Sequence, residues 1–309
     1  MCHAVSVICG QFLEPPAEED EHLRFTVDED RCTLCGLCIN ACPADMVREK
    51  RGAIKISPVA CIGCGHCMAI CPENAVALEE LEYEGHFELQ PSPSLSPGEL
   101  LGLIKARRSV RRYLPDPVPR EDLELLLEAA RYVPTAANCQ CQEFIVITDG
   151  TAQDRLRDRI ADYYRAYAQA LADRNHPGKV AFFGSAESGQ MHEHLLAAVP
   201  SFVKSVDAGR DRLFFGATAV ILVHAAEQEV LPETACAFAT LAIVLTAQTL
   251  GLGTCITAYA SLALQALPEL AHELGIPDGN RVYYVVVVGK PGEEYRLVPP
   301  REPPQVKWV

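Results

Sequence analysis

The sequence predicts an α+β layer fold with a small cysteine-rich module in front of it. Three observations lead there. Short apolar runs alternate irregularly with long helical stretches over the last two-thirds of the chain. A cysteine motif occurs twice within the first 75 residues, and a Pro/Ser-rich stretch, Gln90–Gly98, separates the two regions. A length of 309 residues suits about two domains. We therefore divide the chain into a module at 1–90, a linker at 91–98 and a larger domain at 99–309.

After an acidic lead (Glu18-Glu19-Asp20-Glu21), Phe25–Val27, Ala53–Ile56 and Ala75–Leu78 read as short strands around the cysteines. Ser96 is placed to cap a helix, with Pro97 as its first residue and Glu99 as the capping-box partner. This helix runs through Leu100–Ile104 and ends in Arg107–Tyr113. A second helix, Arg120–Tyr132, has helical spacing at Leu123, Leu126, Leu127 and Ala130 and stops near Pro134. Phe144–Ile147 reads as a strand and 151–173 as a long helix. Residues 174–211, rich in Gly and His, read as a lid or substrate loop. Val220–Val223 is a strand, Glu233–Leu250 and Leu262–Leu274 are helices, and Tyr283–Val288 is a buried strand.

The first chemistry lies in Cys32-x-x-Cys35-x-x-Cys38-x-x-x-Cys42-Pro43, repeated as Cys61-x-x-Cys64-x-x-Cys67-x-x-x-Cys71-Pro72. Cys32–Val47 and Cys61–Val76 agree at seven of sixteen positions, so the module is an internal duplication. Three thiolates at this spacing wrap one iron–sulfur cubane, and the cysteine before proline crosses to the other. Cys32, Cys35, Cys38 and Cys71 then hold one [4Fe–4S] cluster, and Cys61, Cys64, Cys67 and Cys42 hold the second. Disulfides do not fit a chain this size without a secretory signal, and zinc sites use separated Cys-x-x-Cys pairs. Residues 24–84 resemble a bacterial dicluster ferredoxin.

Charge is unevenly spread. The net charge is −14, and residues 1–90 hold 16 Asp+Glu against 6 Lys+Arg, a net of −10. That argues against nucleic acid and suits either a basic redox partner or simple solubility. The first ten residues lack a basic n-region. Cys2, Cys9, Cys139, Cys141, Cys236 and Cys255 are scattered, as expected in a reducing cytoplasm. Thr234–Pro268 contains no charge, yet Gly251 and Gly253 interrupt it and no Lys/Arg cluster flanks it. It reads as a core or subunit-interface helix, with no membrane association expected.

The second chemistry begins at Arg107-Arg108-Ser109-Val110-Arg111, three guanidiniums and a hydroxyl that can grip a phosphate, or complement a helix end. Pro134-Thr135-Ala136-Ala137-Asn138-Cys139-Gln140, Gly251-Leu252-Gly253-Thr254, Gly289-Lys290-Pro291 and Pro299-Pro300-Arg301-Glu302-Pro303 follow in order. Together they resemble the flavin-dependent nitroreductase superfamily, in its branch with an N-terminal ferredoxin module. The resemblance implies FMN at the interface of a homodimer. Arg107, Ser109 and Arg111, with Arg108 alongside, would hold the phosphate and ribityl chain. Pro134, Thr135, Ala136, Asn138 and Gln140 would approach the flavin from the partner subunit. Gly251, Leu252, Gly253 and Thr254 would face the flavin ring, and Arg301 and Lys290 would close on the phosphate. The chain departs from the family pattern at Cys141 and Gln142. Small buried cysteines suit Cys139 and Cys141, and solvated loop histidines suit His176, His192 and His194.

The resemblance implies a cytoplasmic FMN-dependent reductase fed through its own clusters. Its acceptor would be a small nitroaromatic, quinone or activated alkene, and its donor a ferredoxin or other redox protein. No side chain is named as catalytic, because flavin chemistry does not require one. Two alternatives stay open: an electron-transfer adaptor subunit serving a partner enzyme, and a flavin-consuming or dehalogenating relative.

Overall fold

The structure is a computed structural model and describes residues 25–78, 95–172 and 189–309. The acidic lead, Cys2, Cys9, most of the Pro/Ser stretch, His176 and the side chains of His192 and His194 lie outside the described residues. The chain forms two compact units. One falls within Met1–Ser94 and takes in Thr135–Cys139, and the other comprises Leu95–Pro134 and Gln140–Val309.

In the first unit, β1 (Phe25–Val27) pairs antiparallel with β4 (Val76–Leu78). β2 (Val47–Lys50) pairs with β3 (Ala53–Ile56) through a tight turn at Arg51-Gly52. The two cysteine repeats each carry a short helix, α1 (Leu37–Ala41) and α2 (His66–Ala69). Gly36 (φ 76°) and Gly65 (φ 69°) begin them in the left-handed region, which explains why glycine is one of the few residues both repeats share. Cys38, Val47, Ile54, Cys67 and Val76 form the small core. The cysteines are thus themselves core residues, in a module too small to bury much else.

The second unit is a four-stranded antiparallel sheet in the order β5-β6-β8-β7. Its strands are β5 (Glu143–Ile147), β6 (Ala219–Ala226), β7 (Gly253–Ile256) and β8 (Asn280–Gly289). Helices cover both faces, and strand periodicity divides the core accordingly. Val220, Leu222, Val285 and Val287 face α5 (Gly150–Ala172), α6 (Gly189–Asp207), α8 (Ala258–Ala266) and α9 (Pro268–Glu273). Ile221, Val223, Val286 and Val288 face α4 (Arg120–Arg131) and α7 (Pro232–Thr249). Leu126 of α4 is fully buried there, so truncation to Ala costs about 2–5 kcal/mol. The uncharged stretch divides among α7, β7 and α8, and among the described residues no helix is long and apolar enough to cross a membrane.

The capping box at α3 (Pro97–Ala106) is formed: Glu99 N–H donates to Ser96 Oγ at 3.2 Å, and Ser96 N–H donates to Glu99 Oε2 at 2.7 Å. The structure corrects four of the expected elements. Residues 174–211 are not one irregular loop, because Gly189–Asp207 is helical. Val199, Phe202, Val203 and Val206 recur at helical spacing and pack on the core, a signal masked by the surrounding Gly and His. The expected helix Leu262–Leu274 starts earlier and is broken before Pro268, where Leu267 leaves the helical region (φ −123°, ψ 71°). The expected turn Gly251–Thr254 already enters edge strand β7 at Gly253. Finally, Arg107–Tyr113 lies beyond the end of α3 rather than in its last turn.

Candidate functional site

The first unit sorts its eight motif cysteines by fours. One cavity is lined by Cys32, Cys35, Cys38 and Cys71, a second by Cys42, Cys61, Cys64 and Cys67. These are the two groups that the spacing pairs across the repeats. Chain folding explains the exchange: β1 and β4 bring the end of the second repeat back beside the start of the first. Cys71 Sγ accepts a hydrogen bond from Ala75 N–H (3.3 Å), and Cys42 Sγ accepts one from Met46 N–H (3.2 Å). Each crossing sulfur therefore has a fixed donor, a common means of tuning a metal-bound thiolate. Burial pushes the Cys67 thiol up to about 11 and raises Cys38 as well. Such thiols ionise when a cation compensates their burial, which suits a four-thiol metal cage. None of the eight motif cysteines is tied up in a disulfide.

In the second unit, three of the motifs come together around one extended segment. Val110 N–H donates to Thr254 O at 2.9 Å, and Ser109 and Thr254 form a parallel bridge. Further along, Leu114 N–H donates to Lys290 O and Gly292 N–H donates to Arg112 O, both at 2.9 Å. Arg107–Tyr113 is thereby stitched to β7 and to the end of β8. Extended backbone alternates its side chains. Val110 turns into the protein, while Arg107, Ser109 and Arg111 gather near the buried Cys255 thiol. Burial raises the Cys255 pKa, and Arg111, Ser109 and Arg107 each pull it back. Close approach makes glycine necessary at 253, where a Cβ would lie 2.8 Å from Val110 Cγ2.

Two cations and a hydroxyl gathered on one edge fit the phosphate of a phosphorylated cofactor. A cavity of about 420 Å³ opens there, lined by Arg111, Cys255, Phe202, Phe215, Tyr259 and Arg212 among others.

Residues 104–290 match the model of the nitroreductase family, three-fifths of the chain. The chain belongs to the nitroreductase family. Residues 24–80 match the 4Fe-4S dicluster domain, so this nitroreductase-family chain carries a second module ahead of the family fold. Among curated proteins, it is 38% identical over 69 residues to a nitrobenzene nitroreductase of Ectopseudomonas oleovorans. It is 40% identical over 58 residues to nitroreductase NfnB of Mycolicibacterium smegmatis. The matched stretches span 22% and 19% of this chain, and 30% and 24% of the lengths of those relatives. Among solved structures, iodotyrosine deiodinase bound to FMN and 3-iodo-L-tyrosine has 20% identity and a TM-score of 0.50, covering 68% of this chain and 98% of its own. An FMN-bound nitroreductase of Desulfitobacterium hafniense has 23% identity and a TM-score of 0.48 over 68% of this chain and 97% of its own. The deiodinase structure shares the fold.

The remaining motif residues of this nitroreductase-family chain are placed differently. Arg108 caps α3: its Nη2 donates to Lys105 O at 2.8 Å and to Leu297 O at 3.5 Å, and its Nη1 to Arg107 O. Lys290 Nζ lies 3.9 Å from Asp116 Oδ1, and Arg301 is exposed and donates to Pro300 O. Thr135–Cys139 groups with the cysteine unit, where Asn138 Nδ2 donates to Gly63 O at 3.0 Å. Ala137, Asn138 and Gln140 have φ near +50°, so this short segment holds a strained backbone. Pro134 belongs to the second unit, Cys139 is buried and Cys141 half-buried. Leu252 and Thr254 are buried beside the stitched segment.

Sequence reasoning missed Arg212 and Tyr259 on the cavity wall. The one local signal for Arg212 was Asp211 before a Phe-Phe-Gly turn, an arrangement that fixes a loop.

Proposed function

We propose that the protein is an FMN-dependent oxidoreductase that reduces a small acceptor, a nitroaromatic, quinone or activated alkene, with electrons entering through two [4Fe–4S] clusters. The observation that carries this reading is the gathering of Arg107, Ser109 and Arg111 beside Cys255 of β7, in a chain that also sorts eight cysteines into two four-thiol cavities. Clusters supply one-electron carriage and flavin supplies the two-electron chemistry. This chain's own residues do the rest. Arg107 and Arg111 bind the phosphate and ribityl chain with Ser109, Thr254 and Leu252 fix the edge where the ring lies, and Gly253 lets Val110 approach so that the arginines on either side of it are held there. Gly251, Pro134, Thr135, Ala136, Asn138 and Gln140, together with Arg108, Lys290 and Arg301, complete the cofactor shell in this reading.

The ligand sets are Cys32, Cys35, Cys38 and Cys71 for one cluster, and Cys61, Cys64, Cys67 and Cys42 for the other, supported by the linings of the two cavities. The working domain bounds are 1–90, 91–98 and 99–309. Homodimerisation is supported by apolar side chains left half-exposed on α3 (Leu100 44%, Leu101 48%, Ile104 49%) and on α7 (Phe238 43%, Leu241 51%). Eight motif cysteines kept as thiols support a cytoplasmic setting.

The test is anaerobic reconstitution of the full chain. About eight iron atoms and one FMN per chain, with turnover of a nitroaromatic, are expected. A protein that binds both cofactors yet turns over no small acceptor would be an adaptor instead.

A further inference from the structure

Arg212 has no place in the reading so far, and its surroundings are built. The loop after α6 is held by Asp211, whose Oδ1 accepts from Leu213 N–H (3.0 Å) and Phe214 N–H (2.9 Å), and whose Oδ2 accepts from Gly216 N–H (3.0 Å). The loop is fixed tightly enough to keep Phe215 in the left-handed region at φ 58°, a cost accepted at few non-glycine positions. Asp211 spends its carboxylate on these backbone donors, so it is not a counter-ion for its neighbour. Among the described residues, neither Arg212 nor Arg111 forms an ion pair with a carboxylate, and no described Asp or Glu lines the cavity that both line.

Much of the remaining wall is apolar and aromatic. Phe202 stacks on Tyr259 with ring centroids 4.5 Å apart and planes 10° from parallel. Tyr164 locks that pair edge-on, and its hydroxyl donates to Tyr259 O at 2.8 Å. Arg212 stands close enough to Tyr259 that its charge partly offsets the rise that burial causes in the tyrosine pKa. Thr257, 6% exposed, is also in the wall, and its Oγ1 is buried without a partner among the described residues. A buried hydroxyl left so is costly unless something in the cavity satisfies it. A volume of about 420 Å³ is within the range of small-molecule sites.

We infer that this cavity receives a planar aromatic acceptor bearing a carboxylate, which Arg212 binds while the ring lies against the Phe202–Tyr259 wall. The inference rests on the flavin reading of Arg107, Ser109 and Arg111, which leaves Arg212 as the cation available to a substrate. Unpaired cations without nearby carboxylates select an anion, and the aromatic walls select a ring.

The test uses the full-length protein loaded with FMN and clusters, with benzoate and benzamide as calorimetric probes. Benzoate should bind about tenfold or more tighter than benzamide. Arg212→Gln should abolish that difference, and Arg212→Lys should restore part of it. In turnover, the preference in kcat/KM for para-nitrobenzoate over para-nitrotoluene should fall by about tenfold or more in Arg212→Gln. Equal benzoate affinity in wild type and Arg212→Gln, or no benzoate binding at millimolar concentration, overturns the inference. A loss of FMN affinity in Arg212→Gln also overturns it, because Arg212 would then serve the cofactor phosphate. The two readings separate cleanly. Turnover of para-nitrotoluene without a carboxylate preference sinks this inference alone, whereas Arg212-dependent benzoate binding without turnover of either compound sinks the reductase reading.

Discussion

Gly253→Ala is the sharpest perturbation of the stitched segment. The added Cβ would sit 2.8 Å from Val110 Cγ2 and 3.0 Å from both Cβ and Cγ1 of the same residue, against an ordinary carbon contact of about 3.5–4.0 Å. Val110 is β-branched, short and buried, so it cannot swing away as a long side chain would. The strain must instead move backbone by roughly half an ångström or more, at the point where Val110 N–H donates to Thr254 O at 2.9 Å. Overpacking of this kind costs about 1–3 kcal/mol, and losing that hydrogen bond about 1 kcal/mol more. Ser109 and Arg111 flank Val110, so the same shift displaces the proposed phosphate grip. Thermal denaturation should show the destabilisation, and FMN fluorescence titration should show a dissociation constant raised about tenfold or more. Val110→Ala in the Gly253→Ala background removes the clashing methyls and should recover most of the FMN affinity. Wild-type FMN affinity in Gly253→Ala, or no recovery in the double variant, would refute the claim that this contact positions the arginines.

Arg111→Ala should weaken FMN binding by about 1.5–3 kcal/mol, while riboflavin, lacking the phosphate, should lose little further affinity. Cys71→Ser should damage the cluster assigned to Cys32, Cys35 and Cys38 and largely spare the other, as read by electron paramagnetic resonance of the reduced protein; the reverse pattern would uncross the ligand sets. Ser96→Ala removes the α3 cap and should cost about 1 kcal/mol in denaturant unfolding. His224 is buried, its Nδ1 accepts from Asn280 Nδ2 at 3.0 Å, and burial lowers its pKa below the ordinary 6.5. The unfolded chain therefore binds the proton first as pH falls, so His224 contributes stability above pH 6.5 that is lost progressively below it. A wild type whose stability does not decline on that side, relative to His224→Phe, would contradict this.

Legibility in the sequence tracked the range of the physics involved. The cysteine repeat, the Ser96–Glu99 box and the apolar strand Tyr283–Val288 are local patterns, and each appears in the structure in the form its spacing requires. Pro268 was legible too, and extending one helix through it ignored a residue that breaks helices by its chemistry. Helix α6 was harder to see, because its buried positions are spaced among Gly, His and Pro200. The motifs around Arg107–Arg111 could be identified one by one, but not the reason glycine stands at 253, which is the approach of a valine 143 residues earlier in the chain. The same holds for Arg212, whose role depends on where Asp211 spends its oxygens and on an aromatic pair from two other elements. The grouping of Thr135–Cys139 with the cysteine unit likewise had no local signal.

The central claim, that the clusters feed the flavin, is tested most directly by comparing electron donors in the full-length protein. Acceptor reduction is measured anaerobically with reduced ferredoxin and, separately, with dithionite, for wild type and for a Cys35→Ser/Cys64→Ser variant. The account expects the ratio of ferredoxin-driven to dithionite-driven rate to fall by at least about tenfold when the cluster ligands are removed. An unchanged ratio would show that electrons reach the flavin without the clusters.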